Sequence, residues 1–207
     1  PYPGLVAAGQ DLSASRLIEA YQQGIFPWYS QGQPILWWST DPRMVLAVSD
    51  FKLHRSFKKT LSKTISQGRL EIKMDQNFEE VVRLCAESNR PGQSGTWIQP
   101  EMMVAYRELH QLGNAHSVEC WQEGRLVGGV YGVCVGGFFA GESMFHLSDN
   151  ASKVALVHLD RHLARRGFTL LDCQMVTSVT RSLGATEIPR ADYLERLSRA
   201  VGQPSRW

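Results

Sequence analysis

The run of residues 116–145 carries strand patterns in direct succession, and this run most strongly limits the possible folds. The strands are predicted at residues 116–121, 126–135 and 138–145. Two short turns join them, the first at Glu123 and Gly124 and the second at Gly136 and Gly137. Because turns this short connect antiparallel neighbours, the middle of the chain is predicted to form an antiparallel meander.

Helical and strand patterns alternate on both sides of this meander. Apolar residues at helical spacing predict helices at 12–23, 52–65, 78–88, 100–112, 151–166 and 192–200. Alternating or apolar runs predict further strands at 44–48, 70–74 and 168–174. The combination indicates an α+β or mixed α/β fold.

The segment 25–42 is unusually aromatic and contains prolines, which predicts a loop. Regular elements follow it without a long linker. We therefore expect a small N-terminal domain over residues 1–45, packed on a larger domain over residues 46–207.

Composition limits the class of protein. Of the 207 residues, 43% are hydrophobic and 20% are charged, which is typical of a soluble globular chain. No apolar run approaches the roughly 18 residues that span a bilayer, and no signal peptide is recognisable, so we expect a cytoplasmic protein without membrane contact.

Signatures of bound cofactors and metals are missing from the sequence. It contains no GxGxxG, P-loop, GxSxG or CxxC motif, so no cofactor is expected. Its four cysteines lie far apart and are expected to be buried free thiols. His158 and His162 have helical i, i+4 spacing, but no acidic residue completes an HExxH motif, so no metal is expected.

Positive charge is concentrated in residues 51–66, where no acidic residue occurs. The basic residues there are Lys52, Arg55, Lys58, Lys59 and Lys63. Such a stretch attracts a phosphate backbone, and aromatic side chains of segment 25–42 and Trp97 could stack on exposed bases. A solvated surface helix explains the same charges, so the pattern alone leaves RNA binding open.

Polar residues in two predicted strands mark a candidate site. Glu142 lies in the apolar stretch FFAGESM, where a buried carboxylate needs a partner. Either an Arg or Lys pairs with it at the strand end, or it serves chemistry. In LLDCQ, Asp172 and Gln174 are two residues apart and so face the same side of a strand. They either cap the following turn or bind a ligand at the strand's carboxyl end.

The chain resembles the bacterial leucyl/phenylalanyl-tRNA protein transferases over almost its entire length. The motifs that carry this resemblance occur in the family's order: GIFPW, ILWWSTDPR, TWI, LHQLGNAHSVECW, LVGGVYG, GESMF, ASKVAL, DCQ and SLGATEIPR. The resemblance implies a small N-terminal domain joined to a domain like the acetyl-CoA-dependent N-acetyltransferases. It also implies a monomer that transfers Leu, Phe and less readily Met from aminoacyl-tRNA to proteins beginning with Lys or Arg, and so creates a degradation signal.

The resemblance also implies roles for individual residues. Trp28 and Trp97 are expected to flank the 3′ terminal adenosine and the aminoacyl site. The tRNA-binding helix is expected to contain Arg55, Lys58 and Lys59, and we add Lys63. An apolar pocket for the transferred side chain is implied at Val130, Phe139, Met144 and Leu171. Strict alternation would put Phe139 and Met144 on opposite faces, so either Gly141 marks a bulge or one of the two is misassigned.

Two departures from the family pattern stand out. Thr40 replaces a proline in WWSTDPR, and the family's histidine between DCQ and SLGA is replaced near Val179 or Thr180. The second departure moves the expected chemistry to Asp172, Gln174 and Glu142.

The expected mechanism uses these three side chains. The resemblance suggests that Asp172 polarises Gln174, whose side-chain oxygen holds or accepts from the attacking amine. Glu142 is expected to pair with the acceptor's Lys or Arg side chain. The two carboxylates could exchange roles. An acyl-CoA-dependent N-acyltransferase and a non-catalytic RNA-binding module remain alternatives, although no glycine-rich pyrophosphate loop precedes residue 151.

Overall fold

The computed structural model describes residues 2–48, 51–53, 55, 57, 59, 61, 70–88, 96–204 and 207. The helices whose bounds lie within these residues are α1 (Ala14–Gln22), α2 (Phe78–Glu87), α3 (Pro100–Gln111), α4 (Ala151–Arg165), α5 (Ser178–Ser182) and α6 (Arg190–Val201). The strands are β1 (Leu5–Ala8), β2 (Phe26–Pro27), β3 (Leu36–Trp38), β4 (Arg43–Ala47), β5 (Glu71–Met74), β6 (Ala115–Gln122), β7 (Arg125–Val135), β8 (Phe138–His146), β9 (Leu170–Gln174) and β10 (Thr186–Ile188).

In this described part of the chain, seven strands form one mixed sheet in the order β10-β4-β9-β8-β7-β6-β5. Strands β8 and β9 are parallel, and their other neighbours in the sheet are antiparallel. The predicted meander is confirmed as β6, β7 and β8. The mixed α/β fold class is confirmed as well.

Helices cover both faces of this sheet because successive strand residues face opposite sides. On one face, α1, α2, α3 and α6 bury the α3 cluster, which contains Tyr106 together with Phe138 and Ala140 of β8. On the other face, α4 buries the α4 cluster, which contains Phe139 of β8. Burying one such phenylalanine contributes about 1.5–3 kcal/mol, so the alternation along β8 stabilises both layers.

The aromatic N-terminal segment is more regular than a loop. Strands β2 and β3 lie inside residues 25–42, so the loop prediction was wrong there. They form a separate small sheet with β1, in which β3 is the central strand and pairs with both β1 and β2. Strands of two or three residues are too short to show an alternating pattern. The Trp37 indole donates to the carbonyl of Gly9 at 2.9 Å, which fixes this segment in place. The predicted boundary between residues 45 and 46 stays a prediction, and β4 spans it.

A bulge interrupts the pairing of β7 with β8. Tyr131 lies opposite Ser143, and Gly132 lies opposite Gly141, so Glu142 is the extra residue. The bulge explains how Phe139 and Met144 both reach the α4 cluster, which strict alternation forbids.

Several further predictions can be compared with the described residues. The four cysteines are free thiols, as expected, although Cys173 is only half-buried. Strands β1 and β10 and helix α5 had no prediction, since each is short. No helix in the described ranges is long and apolar enough to cross a membrane.

Candidate active site

The candidate site lies where β8 and β9 stop pairing. Their parallel pairing runs from Phe138 opposite Leu170 to Ala140 opposite Asp172. Beyond it, the Gln174 side-chain Nε2 donates to Glu142 Oε1 at 2.6 Å. Both side chains are buried. The structure therefore brings these two predicted residues together where the parallel strands separate: Gln174 is the last residue of β9, and Glu142 occupies the bulge in the middle of β8. The carboxyl end of a parallel strand is a common place for ligand sites.

Asp172 is the fully buried anchor of this region. Its carboxylate accepts hydrogen bonds from Arg43 Nε at 2.9 Å and Arg43 Nη2 at 2.7 Å, and from the Tyr193 hydroxyl at 3.0 Å. It also accepts from the backbone N–H of Gln174 at 2.9 Å. Asp172 therefore contacts Gln174 through the backbone, not through the side-chain amide that it was expected to polarise.

Glu142 lies in a polar pocket of a different kind. Its second oxygen accepts from the Tyr106 hydroxyl at 2.8 Å, and the Tyr21 hydroxyl lies 3.0 Å from that of Tyr106. Burial raises the pKa of Glu142 to about 7, although hydrogen bonds from Tyr106, Tyr21 and Gln174 lower it. Among the described residues no Arg or Lys pairs with this carboxylate, so a structural ion pair does not account for it.

The tyrosines beside Glu142 are themselves neutral. Burial first, and then the nearby Glu142 charge, raise the pKa of Tyr21 and of Tyr106 well above the usual range. The Tyr106 ring packs edge-on against Tyr131 with ring centroids 5.4 Å apart. The Tyr106 hydroxyl therefore acts as a fixed hydrogen-bond donor to Glu142, and the Tyr21 hydroxyl contacts the Tyr106 hydroxyl.

The expected pocket residues lie on the other face of the sheet. Val130, Phe139 and Leu171 are buried in the α4 cluster, and Met144 packs against it half-buried. Val130 lies opposite Met144, and Phe139 lies opposite Leu171. The structure thus brings these four together, but places Glu142 on the opposite face, beside Tyr106.

The expected RNA-contacting residues are only partly described. Trp28 and Trp97 are half-buried against the α3 cluster, and Trp28 meets Trp38 edge-on at 5.8 Å between ring centroids. Arg55 and Lys59 have helical backbone and exposed side chains. Lys58 and Lys63 lie outside the described residues.

Comparison with known proteins decides the family. The family model described as leucyl/phenylalanyl-tRNA protein transferase matches residues 45–198, and the model of that family's N-terminal domain matches residues 10–41. This chain belongs to the leucyl/phenylalanyl-tRNA protein transferase family. The protein of that name from Nitrosospira multiformis is 55% identical over 203 residues, which cover 98% of this chain and 85% of the relative. The chain is accordingly an aminoacyltransferase.

Solved structures show weaker likenesses. The structure of L-PGS from Bacillus licheniformis is 8% identical with a TM-score of 0.49, and the match covers 86% of this chain and 67% of that one. A GCN5-related N-acetyltransferase from Kribbella flavida is 9% identical with a TM-score of 0.42, covering 81% of this chain and 58% of the other. Likenesses of this degree bear on neither activity nor substrate.

The family's expected histidine is replaced here near Val179 or Thr180, and both of these residues have structural roles. Thr180 and Thr177 form a capping box in which each side chain accepts a hydrogen bond from the other residue's backbone N–H. Val179 packs half-buried against the α4 cluster. These residues therefore start helix α5 and supply no acid or base.

One group of side chains could hold a metal by composition. Ligand atoms of Asp75, His110 and His116 lie within 4.8 Å of one another. However, the His116 ring nitrogens already contact Asp75 at 2.9 Å and the Gly113 carbonyl at 3.1 Å. The Trp207 indole also donates to Asp75 at 2.9 Å. These hydrogen bonds hold Asp75, His116 and Trp207 together, and we derive no metal chemistry from the cluster.

Four residues of the site had no prediction from sequence: Tyr21, Tyr106, Arg43 and Tyr193. The tyrosines occupy apolar helix faces, where they look like ordinary core residues. A buried tyrosine hydroxyl usually finds a polar partner, so a signal existed, but it does not identify that partner.

Proposed function

We propose that this chain transfers Leu, Phe and less readily Met from aminoacyl-tRNA to the N-terminal α-amine of proteins that begin with Lys or Arg. The product carries a destabilising N-terminus, which directs it to degradation in the cytoplasm. The protein acts as a monomer without a cofactor. Family membership supports the reaction class, and the buried hydrogen bond between Glu142 and Gln174 carries the assignment of the site.

The chemistry needs little activation because the aminoacyl ester is already reactive. The acceptor's amine nitrogen attacks the ester carbonyl carbon, the bond from that carbon to the ribose oxygen breaks, and a proton from the amine ends on the ribose oxygen. An α-amino group with a pKa of about 7.7–8.0 is partly neutral near pH 7. Positioning can contribute roughly 7–11 kcal/mol at best, so a site that fixes the amine suffices for much of the rate.

Gln174 is the residue that we assign to the attacking amine. Its Nε2 donates to Glu142, which fixes the rotation of the amide. The remaining atom of that amide, Oε1, is an acceptor that can hold an amine N–H. Asp172 fixes the backbone of the same residue through the Gln174 N–H.

Glu142 is the carboxylate that we assign to the acceptor's cationic side chain. The negative charge of Asp172 is already balanced by Arg43, which contacts both carboxylate oxygens. The Arg43 side chain is 1% exposed and the Asp172 side chain 0%, so Asp172 cannot pair with a second cation. Glu142 contacts only hydroxyl and amide donors within the described residues. Pairing with the Lys or Arg of the acceptor would satisfy this buried charge.

The remaining residues serve the donor. We assign the transferred side chain to the apolar group of Val130, Phe139, Met144 and Leu171, because an uncharged lining favours Leu, Phe and Met over polar amino acids. These residues pack on the face opposite Glu142, so this assignment requires the side chain to enter where β8 and β9 stop pairing. Trp28 and Trp97 stack against the terminal adenosine. Basic side chains bind the tRNA phosphates, and these are Arg55, Lys58, Lys59 and Lys63.

The decisive test supplies radiolabelled Leu-tRNA or Phe-tRNA with two acceptor peptides, one beginning with Arg and a matched one beginning with Ala. We expect label on the Arg peptide only. Equal labelling of both peptides would overturn the acceptor assignment. Acylation from acetyl-CoA in a parallel sample would support the N-acyltransferase alternative, and tRNA binding without any transfer would support an RNA-binding module.

A further inference from the structure

Arg43 is a buried cation whose donors are used in several directions. Its side chain is 1% exposed. Nε and Nη2 reach the two oxygens of Asp172, while Nη1 donates to the carbonyl of Gly24 at 3.1 Å. Nη2 also lies 3.4 Å from the Tyr193 hydroxyl. The guanidinium therefore links β4 to the end of α1, to β9 and to α6.

Aromatic rings hold this guanidinium in one plane. Its central carbon lies 4.7 Å from the Phe26 ring centroid and 4.6 Å from that of Tyr193. The Tyr193 hydroxyl also donates to Asp172. Gly24 is required at its position, because a Cβ there would lie 2.7 Å from Tyr193 and its φ is +73°. These contacts leave Arg43 a single orientation.

The effect of Arg43 reaches Gln174 through Asp172. The Asp172 Oδ1 atom accepts from both Arg43 Nε and the Gln174 N–H. Gln174 has φ of +58°, a conformation that residues with a side chain rarely adopt. The register of β4 against β9 also shifts there, because Met44 pairs with Gln174 while Val45 pairs with Asp172. Together these features turn the Gln174 amide toward Glu142.

We propose that Arg43 is a positioning residue for aminoacyl transfer: it fixes Asp172, which holds the Gln174 backbone so that the amide meets Glu142. This inference rests on the function proposed for Gln174. Stability alone accounts poorly for the pair, since a buried ion pair is often no more stabilising than apolar residues of the same size. Its two-pronged geometry instead specifies a direction, which a point charge cannot do.

The test is a double-mutant cycle with Arg43→Lys and Gln174→Ala, measured as single-turnover transfer from Phe-tRNA to the Arg peptide. Lysine keeps the positive charge but loses the planar fork. We expect Arg43→Lys to slow transfer by about 10- to 100-fold, with the KM for the peptide changed by less than about twofold. In the Gln174→Ala background, Arg43→Lys should cause no further loss.

Additive losses in the double variant would overturn the inference, because Arg43 would then act independently of Gln174. A wild-type rate for Gln174→Ala would instead overturn the proposed function of that residue. If the Gln174→Ala rate falls below detection, 13C NMR of labelled glutamate carboxyls decides. The Gln174 hydrogen bond lowers the pKa of Glu142, so Arg43→Lys should raise that pKa. An unchanged pKa would contradict the inference.

Two further variants separate positioning from folding. Arg83→Lys alters an exposed Arg pair with Glu80 and should leave the transfer rate unchanged. Tyr193→Phe keeps the ring beside Arg43 and removes one hydroxyl donor from Asp172. If Arg43→Lys loses cooperative unfolding, Tyr193→Phe takes its place in the cycle, with a smaller loss that again vanishes in the Gln174→Ala background.

Discussion

Replacing Glu142 by Gln should stabilise the protein above neutral pH while impairing its activity. Burial raises the pKa of this carboxyl from 4.5 to about 7. Between these values the folded protein keeps the proton that the unfolded chain has lost, so the free energy of unfolding falls as pH rises. Ionisation of Glu142 thus costs the folded state about 3 kcal/mol at high pH. Gln has nearly the same shape and no such cost.

The assay is urea unfolding of both proteins at a series of pH values. The advantage of Glu142→Gln should grow by about 2–3 kcal/mol between about pH 5 and pH 8. Most of the growth should occur below pH 7, where the folded and unfolded forms differ in bound protons. The Glu142→Gln variant should keep its hydrogen bonds to Gln174 and Tyr106. The oxygen of the new amide accepts from one of these residues, and the NH2 group of the new amide donates to the other.

A matched control is Glu108→Gln, which changes an exposed Glu of α3. Its free energy of unfolding should stay close to that of wild type, because this side chain is exposed to solvent. The reasoning is refuted if Glu142→Gln shows a pH-independent difference, since Glu142 would then titrate alike in the folded and unfolded states.

Three other outcomes are expected. Gly132→Ala should destabilise the protein by about 1–3 kcal/mol in urea unfolding, because its Cβ would lie 2.1 Å from a backbone oxygen of β8; an unchanged stability would contradict the packing. Charge reversal at Arg55 and Lys59, both exposed, should weaken tRNA binding and flatten its salt dependence without changing the melting temperature. Tyr106→Phe removes a hydrogen bond that lowers the pKa of Glu142, so the pH midpoint for binding the Arg peptide should move upward; an unmoved midpoint would separate Glu142 from acceptor binding.

The fold could be predicted where a pattern extends over several residues. The meander and helices such as α3 have enough turns or alternations to define a period. The N-terminal sheet could not be predicted in this way, since β2 and β3 contain two and three residues and depend on pairing with each other. The bulge at Glu142 was one of two alternatives, and only the strand register could decide between them.

The polar residues of the site were predictable as candidates, but their partners were not. Glu142 stands out in the sequence because a carboxylate in an apolar strand requires a partner. The partner Tyr106 is 36 residues away in sequence, and Arg43 is 129 residues from Asp172. Pairs this distant depend on strand order, which local patterns do not encode. The sequence therefore predicted a direct contact between the side chains of Asp172 and Gln174. In the structure the Asp172 carboxylate instead accepts from the backbone N–H of Gln174.

Aminoacyl transfer as proposed here requires that Gln174 and Glu142 form the reacting site. The most direct measurement compares wild type with Gln174→Ala in single-turnover transfer from Phe-tRNA to the Arg peptide, with tRNA affinity determined in the same samples. The account predicts an affinity changed by less than about twofold and a rate reduced by about 100-fold or more. A retained rate, or an affinity lost in parallel with the rate, would contradict it.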